Sequence, residues 1–161
     1  MFALGDKAFY PAHGVGVIEK IESKKVSEHE EHYYVIKIID TGMTVMVPKS
    51  RASDIGLRPL TSSDKIEDVF KIFQRKNEKS PKTMPWNRRQ RDYMAKLKSG
   101  SIFDLAEILR DLTLLQSQKP LSFGEKKLLE TVKRFLIKEL ACCQNCSEDV
   151  VLGKINSLLA S

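Results

Sequence analysis

The chain has 161 residues, 42% of them hydrophobic and 30% charged, a balance that supports packed cores and argues against general disorder. That length allows one ordinary domain or two small ones. No apolar run approaches the roughly 18–20 residues of a membrane span, and the start, Met1 to Lys7, lacks the basic-then-apolar layout of a signal peptide, so a cytoplasmic protein is expected.

Residues 1–60 read as β structure. Asp6–Tyr10 predicts a short strand, broken by Pro11, Ala12, His13 and Gly14. Gly14 and Gly16 lead into a second strand over 17–22, with Ile18 and Ile21 as core candidates. The polar run Ser27–Glu31 has the look of a hairpin loop. Residues 32–39 are rich in aromatic and β-branched side chains, as strands are. Asp40 to Gly42 is a turn, and 43–47 alternates until Pro48 ends it. A run of short strands in about sixty residues suggests a small SH3-like or Tudor-like barrel.

From Thr61 the period becomes helical. Residues 61–64 supply N-cap chemistry ahead of Ile66, Val69, Phe70 and Phe73, an i, i+3, i+4, i+7 stripe. Asn77–Pro85 interrupts it with a polar, basic loop. A second helix is predicted from Trp86 to Ser99 and Gly100. Ser101 is placed to cap a third, with Ile102, Leu105, Ile108, Leu109 and Leu112 on its apolar face. After Pro120, Ser122 and Glu125 form a capping box that opens a fourth helix. Ser147 caps a final short one. The expected architecture is α+β: an N-terminal small barrel over 1–60, then a compact bundle of four to five helices over 61–161.

Charge separates the two halves. Residues 1–60 hold eight basic and eight acidic side chains, so the whole net charge of +6 lies in 61–161. Within that half, 71–98 carries ten Lys and Arg against only Glu78 and Asp92. An exposed stretch of this kind attracts polyanions, although a merely solvated helix surface would have the same composition.

The chain has no constellation for catalysis. His13 stands alone in a Gly- and Pro-rich turn, where ordering the turn is its simplest role. No phosphate-binding loop, zinc-protease motif or dinucleotide fingerprint is present. Cys142, Cys143 and Cys146 include one C-x-x-C spacing but no second pair, so they read as thiols near a helix end, with no metal and no cofactor expected. The informative cluster is Trp86, Arg88, Arg89 and Arg91. It sets the only tryptophan at a helix start, beside arginines whose forked donors suit phosphate. A large flat ring can also wedge at a minor-groove base step. A lone Trp in a helical protein is more often a core residue, and composition alone leaves both readings open.

Landmarks along nearly the whole chain carry a resemblance. They include Gly5 to Lys7, Tyr10 to Gly16, Tyr33 to Lys37, Met46 to Pro48 and Gly56 to Pro59. They continue with Trp86 to Arg89, Lys96 to Gly100, Glu107 to Leu112 and Leu121 to Lys126. In this order they resemble the bacterial CarD family of RNA-polymerase-binding transcription factors, the group that includes CdnL. The resemblance implies a Tudor-like domain docking on the RNA polymerase β subunit. It also implies a helical domain contacting promoter DNA at the upstream edge of the open bubble. Trp86 matches the family's minor-groove wedge, and Arg88, Arg89 and Lys126 match basic positions of its DNA-facing surface. Lys24 and Met46 fall where the family contacts polymerase; some relatives have Arg at both. A strand-edge contact through Val45, Met46 and Val47 tolerates that change. The implied protein is not an enzyme and acts as a monomer, with no membrane partner and no small-molecule substrate. Two alternatives are an RNA-binding Tudor- or KOW-like protein and a polymerase-docking module without a DNA wedge.

Overall fold

The structure is a computed structural model that describes residues 2–75 and 86–160. The expected basic loop Asn77–Pro85 lies outside the described residues. The chain divides into two compact units, Met1–Leu60 and Thr61–Ser161.

The first unit contains β1 (Lys7–Tyr10), β2 (Gly14–Val26), β3 (His29–Ile38), β4 (Thr44–Pro48), a single 3-10 turn at Lys49–Arg51, and β5 (Arg58–Pro59). They form one antiparallel sheet in the order β4-β3-β2-β1-β5, the strand order of an SH3-like roll, with β4 and β5 at its edges. Ala8, Ile18, Tyr34, Ile36, Ile38, Val47, Ala52 and Leu57 fill its core. Gly16 is fixed by that core, because a Cβ there would lie 2.4 Å from Ile36 Cγ2. His13 lies in the turn after β1. Its amide donates to the Tyr10 carbonyl at 3.0 Å, and its ring meets the Tyr10 ring edge-on.

The β2–β3 hairpin departs from expectation. The polar run at 27–31 is not a loop, since pairing continues out to Val26 opposite His29. Lys24 faces Glu31 and Lys25 faces Glu30, and such opposite-charge pairs support a ladder whose side chains are mostly polar. Only Ser27 and Glu28 remain for the turn, with Ser27 at φ 57°.

The second unit contains α1 (Ser63–Gln74), α2 (Trp86–Ser99), α3 (Ile102–Gln118), α4 (Phe123–Gln144) and α5 (Glu148–Ala160). Leu105, Ile108, Leu112 and Leu115 of α3 are fully buried, and α3 packs against α1, α2 and α4. The Ser122–Glu125 capping box opens α4 as read from the sequence. Ser147 Oγ accepts from the Val150 amide at 3.3 Å. Ser101 stands at the α3 N-cap but makes no side-chain cap bond, while the Ser99 hydroxyl is bonded to Asp104 Oδ2 at 2.7 Å. Within α4 the fully buried Glu139 accepts from both the amide and the hydroxyl of Thr61 at 2.9 Å, tying the first residue of the unit to its core. No described helix is long and apolar enough to cross a membrane. Cys142, Cys143 and Cys146 are half-exposed at the end of α4, and the described residues contain no cluster of three or more potential metal ligands.

Candidate functional site

Two surfaces carry the residues singled out by sequence, one in each unit. In the β unit, β4 is an edge strand, so one side of its backbone is not engaged by β3. The two-residue period of a strand sorts its side chains. Val47 is 1% exposed and belongs to the core, Val45 is half-buried against it, and Met46 between them is 42% exposed. Lys24, on β2, reaches across the face of β3. Its Nζ lies 4.0 Å from Met46 Sδ and 5.9 Å from the centre of the Tyr33 ring. Lys24 and Met46, distant in sequence, therefore form one exposed patch. The Ile38 amide donates to the Met43 carbonyl, so by the alternation of an antiparallel ladder Val45 and Val47 bond to β3, and the Met46 backbone faces the open edge.

In the helical unit the candidates lie on the first turns of α2 and α4. Trp86 is the first residue of α2. Its first turn holds Arg88 and Arg89 and no acid, so it opposes the helix dipole rather than complementing it, and it concentrates positive potential at that end. Arg88 is exposed. Arg89 is not: expected on the same outer surface, it is 7% exposed, because the 3.6-residue period turns it inward. There its Nη1 donates to Glu125 Oε2 at 3.2 Å, and both side chains are almost wholly buried. Glu125 belongs to the first turn of α4. Its Oε1 accepts from the Ser122 amide at 2.9 Å, and its own amide donates to Ser122 Oγ at 3.2 Å. Burial pushes the Glu125 carboxyl up. The Ser122 amide and hydroxyl and the Arg89 guanidinium outweigh that cost and hold it below the usual glutamate value. One turn along α2, Tyr93 is buried and its hydroxyl is pushed up to about 12, first by burial and then by Asp111. The Arg89 guanidinium beside it favours the ionised hydroxyl and offsets part of that rise.

The residues flanking the pair point outward. Lys126, next to Glu125, is exposed, and Phe123, the first residue of α4, is 83% exposed. Phe123 is absent from the sequence-derived set. The available signal was its position one residue past the N-cap, off the apolar stripe of Leu128 and Val132. Basic side chains farther along α2 are partly committed to the fold. Lys96 pairs with Glu107 at 3.0 Å, and Arg75, at the end of α1, lies 3.9 Å from the same carboxylate. The charge excess is therefore thinner on the surface than its count in the sequence implies. Arrayed in this way, the helix starts offer cations and an exposed aromatic ring to a polyanion, and no group placed for covalent chemistry.

The CarD-like/TRCF RID domain matches residues 2–61, and the CarD C-terminal domain matches residues 68–156. The chain is 38% identical over 148 residues to a Bacillus subtilis (strain 168) protein described as "Putative transcription factor YdeB", covering 92% of this chain and 95% of that one. Among solved structures, CdnLNt from Myxococcus xanthus is 38% identical, covering 39% of this chain and 89% of that chain, with a TM-score of 0.34. The 72-residue N-terminal domain of Myxococcus xanthus CarD is 30% identical, covering 37% of this chain and 79% of that chain, with a TM-score of 0.32.

Proposed function

Since the chain belongs to the CarD family of transcription factors, we propose that it docks on the RNA polymerase β subunit through its β unit and stabilises the open promoter complex through its helical unit. The observation that carries the second half is the junction of the α2 and α4 first turns, which leaves Arg88 and Lys126 exposed on the helix that Trp86 opens and on its neighbour. Arg88 and Lys126 hold phosphates and set register. Trp86 occupies a distorted minor-groove step at the upstream edge of the bubble. The exposed Phe123 ring extends the apolar part of this surface.

Docking uses the β4 edge. A partner strand pairs along the open edge of β4 over Val45–Val47, while Met46 and Lys24 supply the side-chain contact. Their weakness as individual contacts is offset by tethering, since a docked helical unit is held near the bubble at high effective concentration. The protein then needs little sequence reading of its own. It shifts promoter opening by its differential affinity for the open form. One base–aromatic contact contributes roughly 1–3 kcal/mol, enough to lengthen the open state by about five- to a hundredfold if all of it is differential. Two further facts favour this reading over an RNA-binding barrel: the β unit has no net charge, and the basic excess lies in the helical half.

The test follows preformed open complexes of RNA polymerase on a promoter challenged with a competitor. Added protein is expected to slow their decay severalfold. Decay at an unchanged rate, with polymerase binding verified, contradicts the proposal.

A further inference from the structure

Arg89 and Glu125 are 36 residues apart in sequence, yet they join the first turns of two helices. The carboxylate has two tasks. Oε1 closes the α4 capping box on the Ser122 amide, and Oε2 receives the Arg89 guanidinium. A charged pair this deeply buried is costly to desolvate and is tolerated only where its lone pairs and protons are used, as both oxygens are here. It also fixes an angle. Apolar helix contacts slide with little penalty, whereas a planar guanidinium on a carboxylate allows few orientations. Immediately beside the pair stand the outward-facing candidates, with Arg88 preceding Arg89 and Lys126 following Glu125. Trp86 lies three residues ahead of Arg89 on the same turn of α2.

We propose that Arg89 and Glu125 are positioning residues, locking the start of α2 to the start of α4 so that Trp86, Arg88 and Lys126 form one surface, and that Arg89 makes no phosphate contact. The consequence for DNA rests on the function proposed above. The lock itself is a property of the free protein.

Two substitutions isolate it. Glu125→Gln keeps a capping-box residue, since Gln serves at that position as Glu does, and removes only the charge facing Arg89. Arg89→Gln removes the other partner. Because Trp86 is the only tryptophan, its fluorescence anisotropy in the free protein reports order at the start of α2. Both variants are expected to lower that anisotropy, while circular dichroism shows that the helices persist. On polymerase open complexes across a salt series, both should weaken apparent binding by a similar factor, about threefold or more, with the salt slope unchanged. A phosphate contact by Arg89 predicts a different pattern. Its loss would reduce the log–log salt slope by about 0.9, and neutralising Glu125 would tighten binding. Either of those results, or anisotropy unchanged in both variants, overturns the proposal. If anisotropy falls but neither these variants nor Trp86→Ala alters open-complex lifetime, the lock stands and the DNA-holding function fails.

Discussion

The β4 edge and the first turn of α2 present the same kind of sequence, adjacent candidate residues, and sort them differently. On β4, Val45 and Val47 turn inward and Met46 outward, but the strand lies at the sheet edge, where alternate backbone groups face away from β3 and a partner strand can use them. On α2, Arg88 turns outward and Arg89 inward, and the helical backbone beyond its first turn is bonded to itself. An edge strand can still pair with a partner, whichever way its side chains turn. An inward residue of a helix acts through whatever it holds. Adjacency in sequence therefore means shared contact in the first case and divided labour in the second.

The sharpest way to break this contrast is to remove the inward arginine. Arg89→Ala leaves a buried carboxylate unpaired and is expected to destabilise the helical unit by about 3–5 kcal/mol, measured by urea unfolding followed by circular dichroism. A loss below about 1 kcal/mol would place Arg89 among the exposed, weakly paired charges. Acid should loosen the same contact more gradually. Glu125 titrates below the usual 4.5 in the folded protein, so its stabilisation is complete above the unfolded value and is lost as pH falls through the lowered one. Trp86 anisotropy should hold steady from neutral pH to about pH 4.5 and fall below it, and the fall should be absent in Glu125→Gln.

On the strand side, Met46→Glu sets a charge in the apolar part of the edge contact and should weaken binding to an isolated polymerase β fragment by about tenfold, roughly 1.4 kcal/mol. Val47→Ile keeps the backbone and the core position and should leave that affinity within about twofold. An effect as large as that of Met46→Glu would mean that side chains, not backbone, distinguish the edge positions. The smallest effect is assigned to the outward arginine. Arg88→Ala should lower the log–log salt slope of open-complex binding by about 0.9, the contribution of one phosphate, without measurable change in folding stability.

Much of this organisation is legible in the sequence because its causes are local. The α+β class follows from a change of period at Thr61. The α4 start follows from Ser122 and Glu125, whose partners lie three residues apart. The β2–β3 hairpin was obscured because Lys24, Lys25, Glu30 and Glu31 are polar, and only their cross-strand register makes them strand residues. Arg89 was misplaced for a similar reason. A run of arginines reads as a surface, and nothing near Arg89 in sequence announces an acid 36 residues away. Met46 and Lys24 stand out in the sequence only through the family resemblance, and their proximity, 4.0 Å between Nζ and Sδ, appears only with the fold.

The central claim is that docking and bubble-holding are separate tasks joined by tethering. Open-complex lifetime measured against protein concentration for Met46→Glu and Trp86→Ala tests it most directly. A docking defect should shift the curve to higher concentration and leave its plateau intact, because excess protein replaces the lost tether. The Trp86→Ala curve should keep its midpoint and reach a plateau at least fivefold lower. Full lifetime at saturation with Trp86→Ala, or a lowered plateau with Met46→Glu, would contradict the account.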